Sequence, residues 1–268
     1  TTPTVEIAVP LENADAGIII TASHNPRNWN ALKLLNNKGE FINAKDGEKL
    51  LKIANSNHSY KYDSKNVGEV EFNNQYIDTH TDLIINLPLV DADLIRSRNF
   101  KVVVDAVNST GGIAVPNLLN KLGVEVVKLY CDPNGEFPHN PEPLKENLTD
   151  LSKLVIKEQA DFGIVVDPDV DRLAFVSENG EVFGEEYTLV ACADYFLKNK
   201  PGITVSNLSS SRALKDITES YGCEYFSSAV GEVNVVEKMK EKNAVIGGEG
   251  NGGIILPELH YGRDTLVG

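Results

Sequence analysis

The chain has 268 residues, of which 41% are hydrophobic and 24% are charged, an ordinary balance for a globular protein. Its formal net charge of -14 disfavours a nucleic-acid ligand, because phosphate backbones are bound by clustered lysines and arginines. No apolar run approaches the roughly 18 residues that a membrane-spanning helix needs, so we expect a cytoplasmic protein with no membrane partner. The three cysteines form no Cys-x-x-Cys pair, and we expect them to be reduced and mostly buried thiols.

The first residues are typical of a helix, and three consecutive isoleucines, Ile18 to Ile20, follow it. We predict a buried strand here that ends in the loop Thr21–Pro26. Ser23 would then lie at the carboxyl end of a strand, where open α/β sheets place their ligands. An ordinary turn rich in serine and asparagine is an equally good interpretation of this stretch alone.

Apolar strands, loops and amphipathic helices alternate along the rest of the chain. Strands at 101–105 and 124–129 flank a helix near 113–122, which predicts a βαβ unit with parallel strands. The other predicted helices are at 75–87, 148–158, 185–197, 212–221 and 232–241. The other predicted strands are at 162–166, 203–208, 224–227 and 244–247, with an irregular loop at 132–143 and a hairpin turn at Asn179–Gly180.

These elements predict an α/β protein of three consecutive units with mixed sheets, at 1–73, 74–183 and 184–268. The polar, Asn-rich stretch 55–74 is typical of a junction between the first two units. The chain begins without an initiator Met, its first unit lacks opening strands, and no closing element follows residue 266. We therefore expect a fragment of a longer protein.

Three carboxylates follow the predicted strand 162–166 at alternate positions: Asp167, Asp169 and Asp171. Acids this close repel one another unless a cation neutralises them, and their oxygens suit Mg²⁺ or Ca²⁺, with Arg172 helping to balance the charge. An EF-hand loop would require glycine in place of Arg172 and a preceding helix. A haloacid-dehalogenase-like phosphatase would carry its Asp-x-Asp motif on the first strand. A solvated acidic turn is the remaining alternative.

The glycine-rich stretch Gly247–Gly253 follows an apolar run, and its glycines allow the backbone to approach a ligand closely. Glu249 and Asn251 supply a carboxylate and an amide, which suit the hydroxyl groups of a sugar. The stretch lacks the ending of a P-loop and the spacing of a dinucleotide fingerprint. As a single motif it is explained equally well by a mobile turn.

Taken together, the three stretches resemble the α-D-phosphohexomutase family, which includes phosphoglucomutases, phosphomannomutases and phosphoglucosamine mutases. Thr21–Pro26 is similar to the phosphoserine loop of the family, Asp167–Arg172 to its metal loop, and Gly248–Gly253 to its sugar-recognition loop. Family members have four domains. The resemblance implies that this chain holds the end of the first domain, the second and the third, without the opening segment of the first domain or the fourth domain.

The resemblance also implies the role of each site residue. Ser23 would carry the phosphoryl group, His24 and Arg172 would line the same site, and Lys33 would serve in acid/base catalysis. One Mg²⁺ would be held by Asp167, Asp169, Asp171 and the phosphate on Ser23. The expected sugar-binding residues are Glu249, Asn251 and Glu232. Asn251 stands where serine is commoner in the family and Glu232 where some members have histidine, so the preferred sugar stays open.

The implied activity is that of an isomerase and phosphotransferase that interconverts hexose 1-phosphates and 6-phosphates through phosphoserine and a hexose 1,6-bisphosphate, which also acts as activator. Phosphoglucosamine mutase is the first expectation, and phosphomannomutase or phosphoglucomutase is the alternative. A metal-dependent sugar-phosphate phosphatase and a non-catalytic phosphosugar-binding protein are alternatives of other classes. Retention of Ser23 disfavours the binding protein, because binding requires no phosphoryl-accepting hydroxyl. The expected partner is a small phosphosugar, and we expect the fragment alone to be poorly active.

Overall fold

The computed structural model describes residues 1–56 and 67–268 as three β-sheets with helices packed against them. Residues 57–66, which belong to the predicted junction, lie outside the described residues. The helices are α1 Thr2–Leu11, α2 Ala44–Ala54, α3 Tyr76–Ile85, α4 Ala92–Ser97, α5 Gly111–Lys121, α6 Thr149–Glu158, α7 Glu185–Asn199, α8 Ala213–Ser220 and α9 Glu232–Lys242, with a 3₁₀ turn at Lys145–Asn147. The strands are β1 Gly17–Thr21, β2 Ala31–Leu35, β3 Lys101–Asp105, β4 Glu125–Leu129, β5 Phe162–Val166, β6 Leu173–Ser177, β7 Thr204–Asn207, β8 Tyr225–Ser228, β9 Ile246–Glu249 and β10 Gly253–Ile255.

The second sheet has the strand order β4-β3-β5-β6, in which β3 is parallel to β4 and β5, and β6 is antiparallel. Its central strand β3 is buried on both faces, as expected of a strand rich in valine. Val102 packs on one face with α5, whereas Val103 packs on the other face with α6. The predicted βαβ unit is therefore confirmed, and the carboxyl ends of β3 and β5 lie side by side.

The third sheet repeats this arrangement with the order β10-β9-β7-β8, where only β10 is antiparallel to its neighbour. Val205 of β7 packs against α9, and Ile246 of β9 packs on the opposite face near α7. The largest hydrophobic core contains residues of both the second and the third sheet. The predicted α/β class with mixed sheets is confirmed, although these two sheets share one core; the predicted boundaries of the three units stay a prediction.

Within residues 1–56 and 67–268, the first sheet consists of the antiparallel pair β1–β2. The prediction that the isoleucine strand is buried was wrong, because Ile18 and Ile20 are 62% and 71% exposed and only Ile19 is buried. Successive side chains of a strand point to opposite faces, and only the face that carries Ile19 packs against α1.

Other differences from the predicted elements are local. The strand predicted near 244–247 is β9, two residues later, so Gly248 and Glu249 of the glycine-rich stretch also belong to a strand. The turn at Gly180 is present after β6, and the loop 132–143 is irregular as predicted. The three cysteines are free thiols, only partly buried. Among the described helices, none is both long enough and apolar enough to cross a membrane.

Candidate active site

The three aspartates between β5 and β6 form one buried cluster. An oxygen from each carboxylate lies within 4.8 Å of an oxygen from each of the others. Each aspartate also has a buried oxygen without a hydrogen-bond partner among the described residues: Asp167 Oδ2, Asp169 Oδ1 and Asp171 Oδ1. A buried polar group left unpaired costs about 1–3 kcal/mol, and more when it is charged. A set of three orphaned carboxylate oxygens therefore fits a hard divalent cation such as Mg²⁺.

The backbone of this loop is fixed by its own first aspartate. Asp167 Oδ1 accepts hydrogen bonds from the backbone N–H groups of Asp171 and Arg172 at 3.0 and 3.1 Å. The hydroxyls of Ser109 and Thr110, which follow β3, donate to the carbonyl of Pro168 at 2.7 and 2.8 Å. Because the carboxyl ends of β3 and β5 are adjacent, the loop after one strand holds the loop after the other.

Lys33 of β2 reaches this cluster from the first sheet. Its Nζ donates to Oδ2 of Asp169 at 2.7 Å and to Oδ2 of Asp171 at 2.8 Å. Burial lowers the pKa of Lys33, but the two carboxylates outweigh burial and raise that pKa above its usual range. Lys33 is therefore protonated in this arrangement, where it supplies a positive charge beside the two carboxylates and is a weaker acid than an ordinary lysine.

The aspartates differ in their electrostatic surroundings. Burial and the two neighbouring carboxylates raise the pKa of Asp167 well above its usual range. Burial also raises the pKa of Asp171, but Arg263 and Lys33 outweigh it and hold that pKa below the usual range. Arg263 and Lys33 thus compensate the charge of Asp171, whereas the charge of Asp167 is not compensated to the same extent.

Ser23 lies in the turn after β1 with a left-handed backbone, φ 51°. Its N–H donates to Thr21 Oγ1 at 2.9 Å, and Asn25 closes the turn by donating to the carbonyl of Ala22 at 2.9 Å. Ser23 and Asp169 line the same open cavity of about 510 Å³. The structure therefore brings the predicted phosphoryl-carrying serine and the metal loop to one cavity.

His24 lies between Ser23 and Arg172. Its Nδ1 is 3.3 Å from Ser23 Oγ, and its Nε2 is 3.5 Å from Arg172 Nη2. Burial, and then the charge of Arg172, lower the pKa of His24 below 6.5. Because arginine only donates, Nε2 is the acceptor, and the proton of the neutral ring is on Nδ1. His24 therefore donates to the oxygen of Ser23 in this arrangement instead of accepting its proton.

Arg172 is 8% exposed, and its guanidinium contacts Glu142 and His24. Its Nη1 donates to Glu142 Oε1 at 2.7 Å. Arg172 also lines a smaller cavity, of about 160 Å³, together with Asn251 and Ser209. Asn251 thus lies next to a cation in a space open to a ligand, as a sugar-binding side chain requires.

Glu249 is more enclosed than the sequence suggested, because it is the last residue of β9 and only 4% exposed. Its Oε1 accepts from Asn207 Nδ2 at 2.6 Å and from the N–H of Gly231 at 3.2 Å. Its Oε2 accepts from Arg263 Nη1 at 2.8 Å. Both oxygens are therefore already engaged by the protein, and a sugar hydroxyl would have to share them.

Arg263 is the site residue that the sequence did not reveal. Its Nη2 donates to Asp171 Oδ2 at 2.8 Å, and its N–H and Nε donate to the two oxygens of Glu232 at 2.9 and 3.0 Å. Together with its bond to Glu249, this buried guanidinium joins the metal loop to the third sheet. Glu232, predicted to contact the sugar, is thus a buried partner of Arg263.

The glycines of the sugar loop approach protein atoms. A Cβ at Gly252, whose φ is +88°, would lie 2.3 Å from the carbonyl oxygen of Leu173, and the N–H of Leu173 donates to the carbonyl of Gly252 at 3.0 Å. A Cβ at Gly250 would lie 1.9 Å from Glu186 Oε2. These two glycines thus allow close approach to β6 and α7 of the protein itself, and the predicted close approach to a ligand stays a prediction.

Family models described as phosphoglucomutase/phosphomannomutase, alpha/beta/alpha domains I, II and III, match residues 1–61, 74–180 and 184–268. A Thermococcus kodakarensis protein named phosphoglucomutase/phosphomannomutase is 36% identical, over 99% of this chain and 58% of its own length. A probable phosphoglucosamine mutase of Methanopyrus kandleri is 34% identical, over 98% of this chain and 57% of its own length. The chain thus spans less than two thirds of these relatives.

Two solved structures have the same fold. A phosphoglucomutase/phosphomannomutase family protein from Burkholderia thailandensis superposes with a TM-score of 0.79 at 28% identity, over 95% of this chain and 54% of that one. A putative phosphomannomutase from Thermus thermophilus superposes with a TM-score of 0.88 at 24% identity, over 99% of this chain and 60% of that one. At the latter identity the likeness concerns the fold alone.

Proposed function

This chain belongs to the α-D-phosphohexomutase family, as its motifs predicted, and we propose that its protein interconverts hexose 1-phosphates and 6-phosphates. Ser23 gives its phosphoryl group to the free hydroxyl of a hexose monophosphate and takes back the other phosphate from the resulting bisphosphate. The observation that carries this proposal is the set of three orphaned aspartate oxygens, with Asp169 and Ser23 on one cavity. A phosphoryl group on Ser23 and a cation at the aspartates are the two components that phosphoryl transfer needs.

The cation we propose is a single Mg²⁺, held by Asp167, Asp169 and Asp171 with the phosphate on Ser23 as a further ligand. When bound, the ion neutralises the charge that develops on the transferring phosphoryl group. Lys33 adds positive charge beside Asp169 and Asp171. As the phosphoryl group leaves, Lys33 passes a proton to the serine oxygen, and the sugar hydroxyl that takes up the phosphoryl group gives its own proton back to Lys33. His24 orients that oxygen.

The preferred substrate we propose is a glucosamine phosphate, with mannose and glucose phosphates as the alternatives. The support comes from the relatives, since the Methanopyrus kandleri protein and several others are named probable phosphoglucosamine mutases. Asn251 lines the small cavity with Arg172 and is the residue we propose to contact the sugar. Glu249 supports the sugar site by accepting hydrogen bonds from Arg263 and Asn207, which hold these two side chains in position.

The first test is transfer of phosphate to the serine. After incubation with a hexose 1,6-bisphosphate and Mg²⁺, peptide mass spectrometry should find one phosphoryl group on Ser23. Ser97→Ala is the control, because Ser97 is exposed on α4, outside the cavity that Ser23 lines, and should leave the modification at Ser23. If Ser23→Ala in the complete protein retains wild-type turnover, Ser23 is not the phosphoryl carrier.

The second test is isomerisation by the complete protein, measured on glucosamine, mannose and glucose 6-phosphates with a bisphosphate activator. We expect a hexose 1-phosphate as product, with the highest kcat/KM for glucosamine 6-phosphate. Release of inorganic phosphate without isomerisation would identify a phosphatase instead.

A further inference from the structure

A second buried cluster lies outside the candidate active site, where α1, α3 and the segment after β10 meet. His80 Nε2 is 2.7 Å from Asp264 Oδ2, and His260 Nε2 is 3.2 Å from the same oxygen. His80 and Asp264 are fully buried, and the His260 side chain is 12% exposed. Two imidazole nitrogens and one carboxylate oxygen therefore lie close together in a largely buried position.

The far sides of the two imidazole rings face acceptors on α1. His80 Nδ1 is 3.1 Å from Thr4 Oγ1, and His260 Nδ1 is 3.2 Å from Glu6 Oε2. The second oxygen of Asp264, Oδ1, accepts from the N–H of Leu266 at 2.9 Å. In metal sites the histidine ligands commonly use their other ring nitrogen in this way, to bind a hydroxyl or carboxylate that fixes the ring.

The cluster also has unsatisfied groups and unbalanced charge. Both oxygens of Glu6 and Nδ1 of His260 are buried and have no well-directed hydrogen bond among the described residues. Glu6 and Asp264 bring two negative charges, while Lys33 and Arg263 are engaged by aspartates and glutamates of the active site. Buried charges need compensation, and either two protons or one divalent cation supplies it.

We propose that His80, His260 and Asp264 bind a Zn²⁺ ion whose fourth ligand is a water molecule, with Thr4 and Glu6 orienting the two imidazole rings. Imidazole nitrogen favours zinc over Mg²⁺ or Ca²⁺, which prefer oxygen. Zinc at about 2.0–2.1 Å from each ligand in tetrahedral geometry sets ligand atoms roughly 3.3 Å apart. The contact of His260 with Asp264 is close to that distance, and the contact of His80 must open by about half an ångström.

Such an ion joins segments far apart in the chain. His80 belongs to the helix after the first junction, the other two ligands follow the last strand, and the orienting residues belong to α1. Zinc is therefore expected to hold α1 and α3 against the end of the chain, and its removal should loosen that contact without touching the aspartate cluster.

The test is a calorimetric titration of the chelator-treated chain with Zn²⁺, in excess Mg²⁺ so that the aspartate cluster does not compete. We expect one Zn²⁺ per chain, lost in His260→Gln and retained in His139→Gln. His139 is a matched control, because its Nε2 also pairs with an aspartate, Asp105, at 3.0 Å but without a second histidine. Co²⁺ in place of Zn²⁺ should give the visible absorption of a four-coordinate site, lost in the same variant.

Thr4→Val tests the site without removing a ligand. It deletes the acceptor that faces His80 Nδ1, and we expect zinc to bind about 10–100-fold more weakly while circular dichroism stays unchanged. The proposal is overturned if the wild-type chain binds no zinc, if folded His260→Gln binds as much as the wild type, or if Thr4→Val leaves the affinity unchanged. If the wild-type chain binds no zinc, protons compensate the charges of the cluster. If folded His260→Gln binds as much zinc as the wild type, other groups bind the ion. If His260→Gln does not fold, the Thr4→Val affinity decides.

Discussion

Arg263 Nη2 donates to Asp171 Oδ2 at 2.8 Å, although 92 residues separate the two in the chain. The same guanidinium binds Glu249, so the residue predicted to contact the sugar and a residue of the metal cluster share one buried cation. A change at either carboxylate is therefore expected to alter the other through Arg263.

The first prediction concerns the stability provided by Arg263. Arg263→Met leaves Asp171, Glu232 and Glu249 without their common cation, and removing one partner of a buried ion pair costs about 3–5 kcal/mol. We expect a loss of that size in the free energy of urea unfolding. Arg212→Met is the control, because Arg212 is 78% exposed and should change stability by less than about 0.5 kcal/mol. Equal losses in the two variants would contradict the central position of Arg263.

The second prediction separates metal binding from stability at Asp167. Asp167→Asn keeps the oxygen that accepts hydrogen bonds from the loop backbone but removes the ionisable carboxyl group. Burial and two neighbouring carboxylates raise the pKa of that group. The metal-free variant should be as stable as the wild type or more stable. The wild type should gain about 1.4 kcal/mol from Mg²⁺ at ten times its dissociation constant, and the variant should gain almost nothing.

The measurement for Asp167→Asn is the free energy of unfolding with and without Mg²⁺. Asp46→Asn, an exposed position on α2, is the control and should respond to Mg²⁺ like the wild type. A full Mg²⁺ response in Asp167→Asn would mean that this carboxylate is not a ligand.

The third prediction distinguishes the two polar residues of the sugar loop. Asn251→Ala removes a side chain that lines the cavity beside Arg172, and we expect a hexose bisphosphate to bind about ten- to a hundredfold more weakly with stability unchanged. Glu249→Gln should weaken the same ligand, and it should also lower stability and Mg²⁺ affinity through Arg263. If Glu249→Gln leaves Mg²⁺ affinity intact, the coupling through Arg263 is absent.

The fourth prediction is a pH dependence from the pair His139 and Asp105, at the loop after β4. Burial lowers the pKa of His139, but the hydrogen bond to Asp105 and the charge of Asp105, together with smaller contributions from Asn140 and Asp150, outweigh burial and raise that pKa above 6.5. The stabilisation is thus complete below about pH 6.5, the unfolded value, and is lost as pH rises through the folded pKa. His139→Gln should flatten this part of the stability profile, and an unchanged profile would rule the pair out as its source.

The sequence predicted the aspartate cluster because its evidence is local. A run of valines ends in three alternate acids, and both the strand and the need for a cation follow from neighbouring residues. The prediction for Ile18 to Ile20 failed for a related reason, since three identical apolar residues cannot show which face of a strand is buried.

Contacts between residues far apart in the chain produce no local sequence pattern from which they could be predicted. Nothing next to Arg263 indicates that its three partners lie at Asp171, Glu232 and Glu249. The glycines before Glu249 suggested a loop, yet a Cβ at Gly248 would lie 2.0 Å from the carbonyl of Gly253 in the paired strand. That glycine is required by close pairing of β9 with β10, which only the folded chain reveals.

The position of α1 has a consequence for synthesis on the ribosome. Glu6 and Thr2 are made before their partners His260 and Asp169, which follow about 250 and 170 residues later. At a synthesis rate of about 5–20 residues per second, roughly 13–50 s pass between the synthesis of α1 and that of its partner His260. During that interval its apolar side chains Ile7 and Val9 depend on incomplete packing. Nascent chains halted before residue 260 should therefore be cut by proteases within α1, whereas longer ones should resist.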